Sequence, residues 1–98
     1  MKLREFNEII KVITNKKTGL LDKDKIKEIS EEVKEEMCKF IVKYRQPVIK
    51  DLIPKNFDWE WLNTMGYMYS YNNDEFDFIG LSEHYDSFKN KFVIQNEK

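Results

Sequence analysis

The side chains with the most chemistry to offer are gathered between Asn56 and Phe88. Seven carboxylates fall there (Asp58, Glu60, Asp74, Glu75, Asp77, Glu83 and Asp86), with ten of the fourteen aromatic residues and no Lys or Arg. Carboxylates at this density focus a negative potential, which speeds encounter with a basic surface by factors of ~10 to 10³. Tyr and Trp add large contact area with few rotatable bonds. The chemistry of such a set is recognition. Asp58, Trp59, Glu60, Tyr67, Tyr69, Asp74, Glu75, Asp77, Glu83 and Asp86 are the residues expected to meet a basic partner.

The rest of the chain sharpens that expectation. Residues 1–55 carry fourteen basic and ten acidic groups, and residues 89–98 carry three and one. The formal net charge of -1 therefore covers successive blocks of +4, -7 and +2. An ordinary half-buried sheet would use acids to solvate its outer face, but it has no reason to exclude Lys. Glu75 and Asp77, two apart on a strand, would stand ~6.8 Å apart on one face. Carboxylates in such a row resemble the regular charges of a phosphate backbone, and they suit a channel built for nucleic acid.

Other reactive groups find no working arrangement. His84, the single histidine, has Glu83 and Asp86 nearby, a spacing of neither metal ligands nor an acid–base pair. Cys38 has no reactive signature around it, and one cysteine excludes an internal disulfide and fits a reducing cytosol. Glu32-Val33-Lys34 has a nuclease-like Glu-x-Lys spacing, but Val33 belongs to an apolar helical stripe. Three glycines leave little for a phosphate loop, and Asn72–Asp77 lacks the Gly and distal Glu of a calcium loop. No catalytic, metal or cofactor residue is assigned, and no enzyme is expected. Stacking of single-stranded nucleic acid needs a positive groove, whereas the aromatic stretch is the acidic one. Lys2, Arg4, Lys11, Lys16 and Lys17 make a better nucleic-acid surface, but acids are mixed among them.

The elements that must hold these groups follow from periodicity. Leu3, Phe6, Ile9, Ile10 and Ile13 predict a short helix, closed by the turn Asn15–Gly19. Ile26, Ile29, Val33, Met37, Phe40, Ile41, Tyr44 and Val48 predict a second, long helix, ended by Pro47. Its apolar stripe is wide enough to serve a dimer seam as well as a core. Phe57, Trp59 and Trp61 alternate with Asp58 and Glu60, a pattern open to strand or helical turn. Met65–Tyr71 and Glu75–Ile79 predict a β-hairpin about the turn Asn72-Asn73-Asp74, with Gly80 and Ser82 at its exit. Asp86–Ile94 reads equally as strand or helix. The expected fold is α+β: two N-terminal helices, the second long, on a small C-terminal antiparallel sheet.

Residues 1–98 are read as one domain, with 41% hydrophobic and 36% charged residues. Arg4, Glu5, Glu8 and Lys11 interrupt any leader-type apolar run, and no stretch approaches the ~18 apolar residues of a membrane span. A cytoplasmic location is expected. Fifteen Lys against two Arg, with ten Ile and eight Asn, suggest an AT-rich genome such as that of a low-GC bacterium or its phage.

In size, charge layout and aromatic richness the chain resembles phage anti-restriction and anti-CRISPR proteins and nuclease-immunity proteins, as classes. No motif aligns, and no residue role is carried over. The resemblance implies a non-enzymatic inhibitor or neutraliser of a basic nuclease, CRISPR effector or polymerase-like protein. Two other readings stand beside it. One is an assembly protein that dimerises through the long helix, and the other a small regulator that binds nucleic acid.

Overall fold

Helix α1 (Leu3–Ile13) turns Phe6, Ile10 and Ile13 inward at the spacing its sequence predicts. The backbone N–H of Lys2 donates to Glu5 Oε1 at 2.9 Å and so ties down the first turn. The chain is described over residues 1–72 and 76–81 by a computed structural model. Asp74, Glu75, Glu83, His84 and Asp86 lie outside the described residues, as does the segment Asp86–Ile94.

After α1 the chain reverses through a loop closed by a single antiparallel bridge between Thr14 and Leu21. Asn15 Oδ1 accepts from the backbone N–H groups of Lys17 (2.8 Å) and Thr18 (3.3 Å). Gly19 turns the chain at φ 74°, a conformation that costs a residue with a Cβ far more.

The long helix expected from Ile26 to Val48 is broken in two. Helix α2 (Lys23–Lys27) stops at Glu28, and α3 (Glu31–Lys43) begins after Ser30. Ser30 is extended at φ -65°, ψ 155°, and its Oγ accepts from Val33 N–H at 3.3 Å. Glu31 and Glu32 then sit in the first turn of α3, where the helix dipole favours negative charge. The apolar stripe survives the break, because Ile26, Met37 and Ile41 all reach the core. Ile29 and Val33 of the same stripe are partly buried, and Tyr44 is 41% exposed. Cys38 is buried in the same face, and burial, helped by the charge of Glu35, pushes its thiol up to about 12.

Arg45, at φ 57°, reverses the chain after α3, and Pro47 prevents the helix from resuming. Val48 is not helical. With Ile49 it forms strand β1 (Val48–Ile49), followed by a 3₁₀ turn at Lys50–Leu52. Helix α4 (Trp59–Thr64) comes next, then β2 (Tyr67–Asn72) and β3 (Asp77–Leu81).

Among the described residues the three strands form one antiparallel sheet in the order β1-β3-β2. The C-terminal hairpin is therefore present, with its second strand inserted against β1 through the pairs Val48–Ile79 and Ile49–Phe78. Strand β3 runs through Gly80 to Leu81, so Gly80 is an interior residue paired with Tyr69 and not the exit of the strand. The architecture is α+β. The buried apolar residues of all these elements join in one cluster.

A long-range polar tie crosses this framework. Glu31 Oε1 accepts from the backbone N–H of Lys55 at 2.9 Å, joining the start of α3 to the loop before α4. That bond, with the charge of Lys34 adding to it, holds the Glu31 carboxyl below its ordinary value. A lowered folded value means the ionised form favours folding. The contribution is present above the unfolded carboxylate range and lost as pH falls through the folded value. Glu31→Gln is therefore expected to lower stability near neutral pH and to match the parent in acid. Urea unfolding of both proteins at neutral pH and near pH 3 measures this. A gap of constant size at both pH values would refute an ionic role for the tie.

Candidate partner interface

Sequence in the acidic stretch dictates a helix where alternation suggests a strand. Asp58 is extended and its carboxylate accepts from Trp61 N–H at 3.1 Å, capping α4. On a helix, residues two apart point about 200° from each other, so Trp59 and Trp61 diverge. Trp61 turns inward, and its ring meets Phe57 edge-on, centroids 5.8 Å apart and planes at 84°. Leu62 is fully buried beside them. Trp59 faces outward with 49% of its surface exposed, and Asp58 and Glu60 on either side are exposed too.

Tyr67 leaves the expected set of surface anchors. It is 3% exposed, and its hydroxyl donates to the Gln46 carbonyl at 2.9 Å and lies 3.5 Å from that of Val42. Burial pushes the phenol above its ordinary range. The hydroxyl thereby satisfies the Gln46 carbonyl just past the end of α3, beside the Val42 carbonyl that already accepts from Arg45 N–H at 2.9 Å. Just before it, Gly66 sits at φ 89°, and a Cβ there would come within 3.1 Å of Leu81 Cδ2. A bulge between Tyr67 and Tyr69 breaks the even alternation that would have put the tyrosines on one face.

Tyr69 and Tyr71 are half-buried. Tyr71 stacks on Phe78 across the hairpin at 5.0 Å and 10°, and burial pushes its hydroxyl up to about 12. Asp77 is exposed where β3 begins, opposite Asn72. The fold thus gathers Asp58, Trp59 and Glu60 on α4. It sets Asp77 at the other end of the hairpin, about 14 Å along β3 from the Tyr67–Leu81 pair.

Electrostatically, Asp58, Glu60 and Asp77 form no ion pair among the described residues. Ion pairs occur instead within α3, Glu31–Lys34 at 3.5 Å and Glu35–Lys39 at 3.1 Å. Lysine does approach the aromatic stretch through space, because Lys23 Nζ lies 5.2 Å from the centre of the Phe76 ring. It contacts a ring face and not a carboxylate, a weak attraction of roughly 0.5–1 kcal/mol. Met65, expected as the first residue of the hairpin, instead closes α4, where it is an apolar surface residue 38% exposed, and β2 begins at Tyr67.

The other chemical groups remain apart. Lys34 is paired with Glu31 and Val33 is partly buried, so Glu32-Val33-Lys34 forms no joint site. Among the described residues, no group of three His, Cys, Asp or Glu side chains is placed to hold a metal ion, and no helix is long and apolar enough to cross a membrane. Compared with protein-family models, curated proteins and solved structures, the chain matches none.

Tyr67 and Trp59 should respond oppositely to mutation. Tyr67→Phe removes a buried hydrogen bond and is expected to cost about 1 kcal/mol, a fall in Tm of roughly 4–8 °C. Trp59→Ala is expected to change stability by no more than about 0.5 kcal/mol. Thermal unfolding of both variants checks the contrast. A large loss from Trp59→Ala would make that ring a structural element and remove it from any interface.

Proposed function

We propose that this protein is a small non-enzymatic inhibitor that binds a basic, nucleic-acid-handling protein through its acidic, aromatic surface. The observation that carries this reading is Trp59, half exposed between two solvent-facing carboxylates in a stretch with no Lys or Arg. A ring in that position costs its own fold little to remove, yet offers a partner a rigid apolar anchor. Asp58, Glu60 and Asp77 supply the field that draws a positive surface toward it. Where the ring is buried by a partner's Arg or Lys side chain, the cation also gains from the π-face of the indole. Anti-restriction, anti-CRISPR and nuclease-immunity proteins act in this manner as classes, by covering a surface built for phosphates.

The proposal is tested with the chain immobilised as bait in a low-GC bacterial lysate, followed by kinetics on the purified proteins recovered. A nuclease, CRISPR effector or polymerase with a basic surface is expected. Asp58→Asn/Glu60→Gln/Asp77→Asn should slow association about tenfold at low salt, and the difference should vanish near 1 M salt, where the Debye length is ~3 Å. Asn at position 58 keeps the helix cap, so the fold is spared. Trp59→Ala should speed dissociation. Recovery of acidic proteins only, or a triple variant that binds at the parental rate, would sink the proposal.

A further inference from the structure

The face formed by α1 and α2 is separate from the acidic stretch and carries a different charge pattern. Val12, the last residue but one of α1, is 69% exposed, which is high for an aliphatic side chain inside a helix. Two hollows flank it and share Val12 and Lys25 as walls. One is rimmed by Lys11, Lys16 and Lys25. The other is rimmed by Glu5, Glu8 and Glu28 around the apolar floor of Ile9, Ile13 and Ile29. The first hollow carries lysines and no acid, and the second carries acids with Lys25 only on the shared wall, so the face is bipolar across Val12.

A surface of this kind is complementary to itself. A two-fold axis through the middle of the face reverses the direction of α1 in the second copy. In an isologous contact, whatever residue i meets, its equivalent meets in return. The carboxylate hollow of each copy would then lie against the ammonium hollow of the other, with the two Val12 side chains near the axis. We propose that two copies of this chain associate through the α1–α2 face in that antiparallel manner. The occupant is a second copy because the same face supplies both signs in equal number, whereas a uniformly charged partner would be repelled by half of it. The contact is small beside the ~800 Å² per partner of a standard interface, so the dimer is weak and forms at high protein concentration. It leaves Trp59 and its carboxylates free and stands or falls independently of the proposed inhibitor role.

Sedimentation of the full chain over a concentration series reaching roughly the millimolar range tests the proposal. A monomer–dimer equilibrium that weakens with salt is expected, and Val12→Asp should weaken it about tenfold or more. Lys11→Glu/Lys16→Glu leaves Lys25 as the one base against five acids on the face, and Glu8→Lys/Glu28→Lys leaves Glu5 as the one acid against five bases; all four positions are exposed, and circular dichroism confirms folding. Each variant alone should fail to dimerise, and an equimolar mixture should restore a heterodimer. Monomers at every concentration would overturn the proposal. So would a dimer indifferent to Val12→Asp and to both charge variants, since it would use another face. A face whose NMR signals respond only to a different macromolecule would belong to that partner instead.

Discussion

Everything in this fold depends on β3 being an interior strand. Two residues after Pro47, Val48 and Ile49, pair with Ile79 and Phe78, while β2 pairs with the opposite edge of the same strand. Successive side chains of a strand point to opposite faces, so the burial of both Phe78 and Ile79 shows that β3 is covered on both. This pairing stitches the lysine-rich first half of the chain to the acidic second half. Without it the hairpin would be an isolated two-stranded ribbon, marginal in water. The two-residue strand β1 therefore matters far beyond its length, since it brings the α3 end of the core onto the sheet.

The same stitching explains how charge is distributed. The described acids of the aromatic stretch, Asp58, Glu60 and Asp77, sit where a strand or short helix meets water: the cap of α4, its first turn and the start of β3. Aromatic rings divide by the same geometry. Trp61, Tyr67 and Phe78 serve the core, and Trp59 does not. Polarity along the sequence and polarity in space are thus related but not identical, because Lys23 of α2 folds back to the ring of Phe76.

The readable parts of the fold were those with many repeats of one period. Leu3, Phe6, Ile10 and Ile13 mark α1 without ambiguity, and Tyr69, Tyr71 and Phe78 mark the hairpin. Three features were harder. Periodicity runs straight through the α2–α3 break, since Ile26 and Met37 still face one core; only Ser30 ahead of Glu31 and Glu32 signals a new helix start. Strand β1 is two residues long between two prolines, too short for any period to register. Alternation in Phe57–Trp61 imitates a strand, while the cap formed by Asp58 makes it a helix. Of the expected interface, Asp58, Trp59, Glu60 and Asp77 are exposed as the sequence suggests, whereas Tyr67 is buried. The bulge that separates it from Tyr69 leaves no trace in the order of residue types.

The lone thiol of Cys38 has a consequence for following this molecule in solution. Its sulfur sits in the packed face of α3 and holds its proton far above neutral pH. An alkylating reagent meets a thiolate only when the interior opens. Cys38 is therefore a built-in clock for breathing of the core: its labelling rate counts openings one molecule at a time, and anything that clamps the interior shut will slow it.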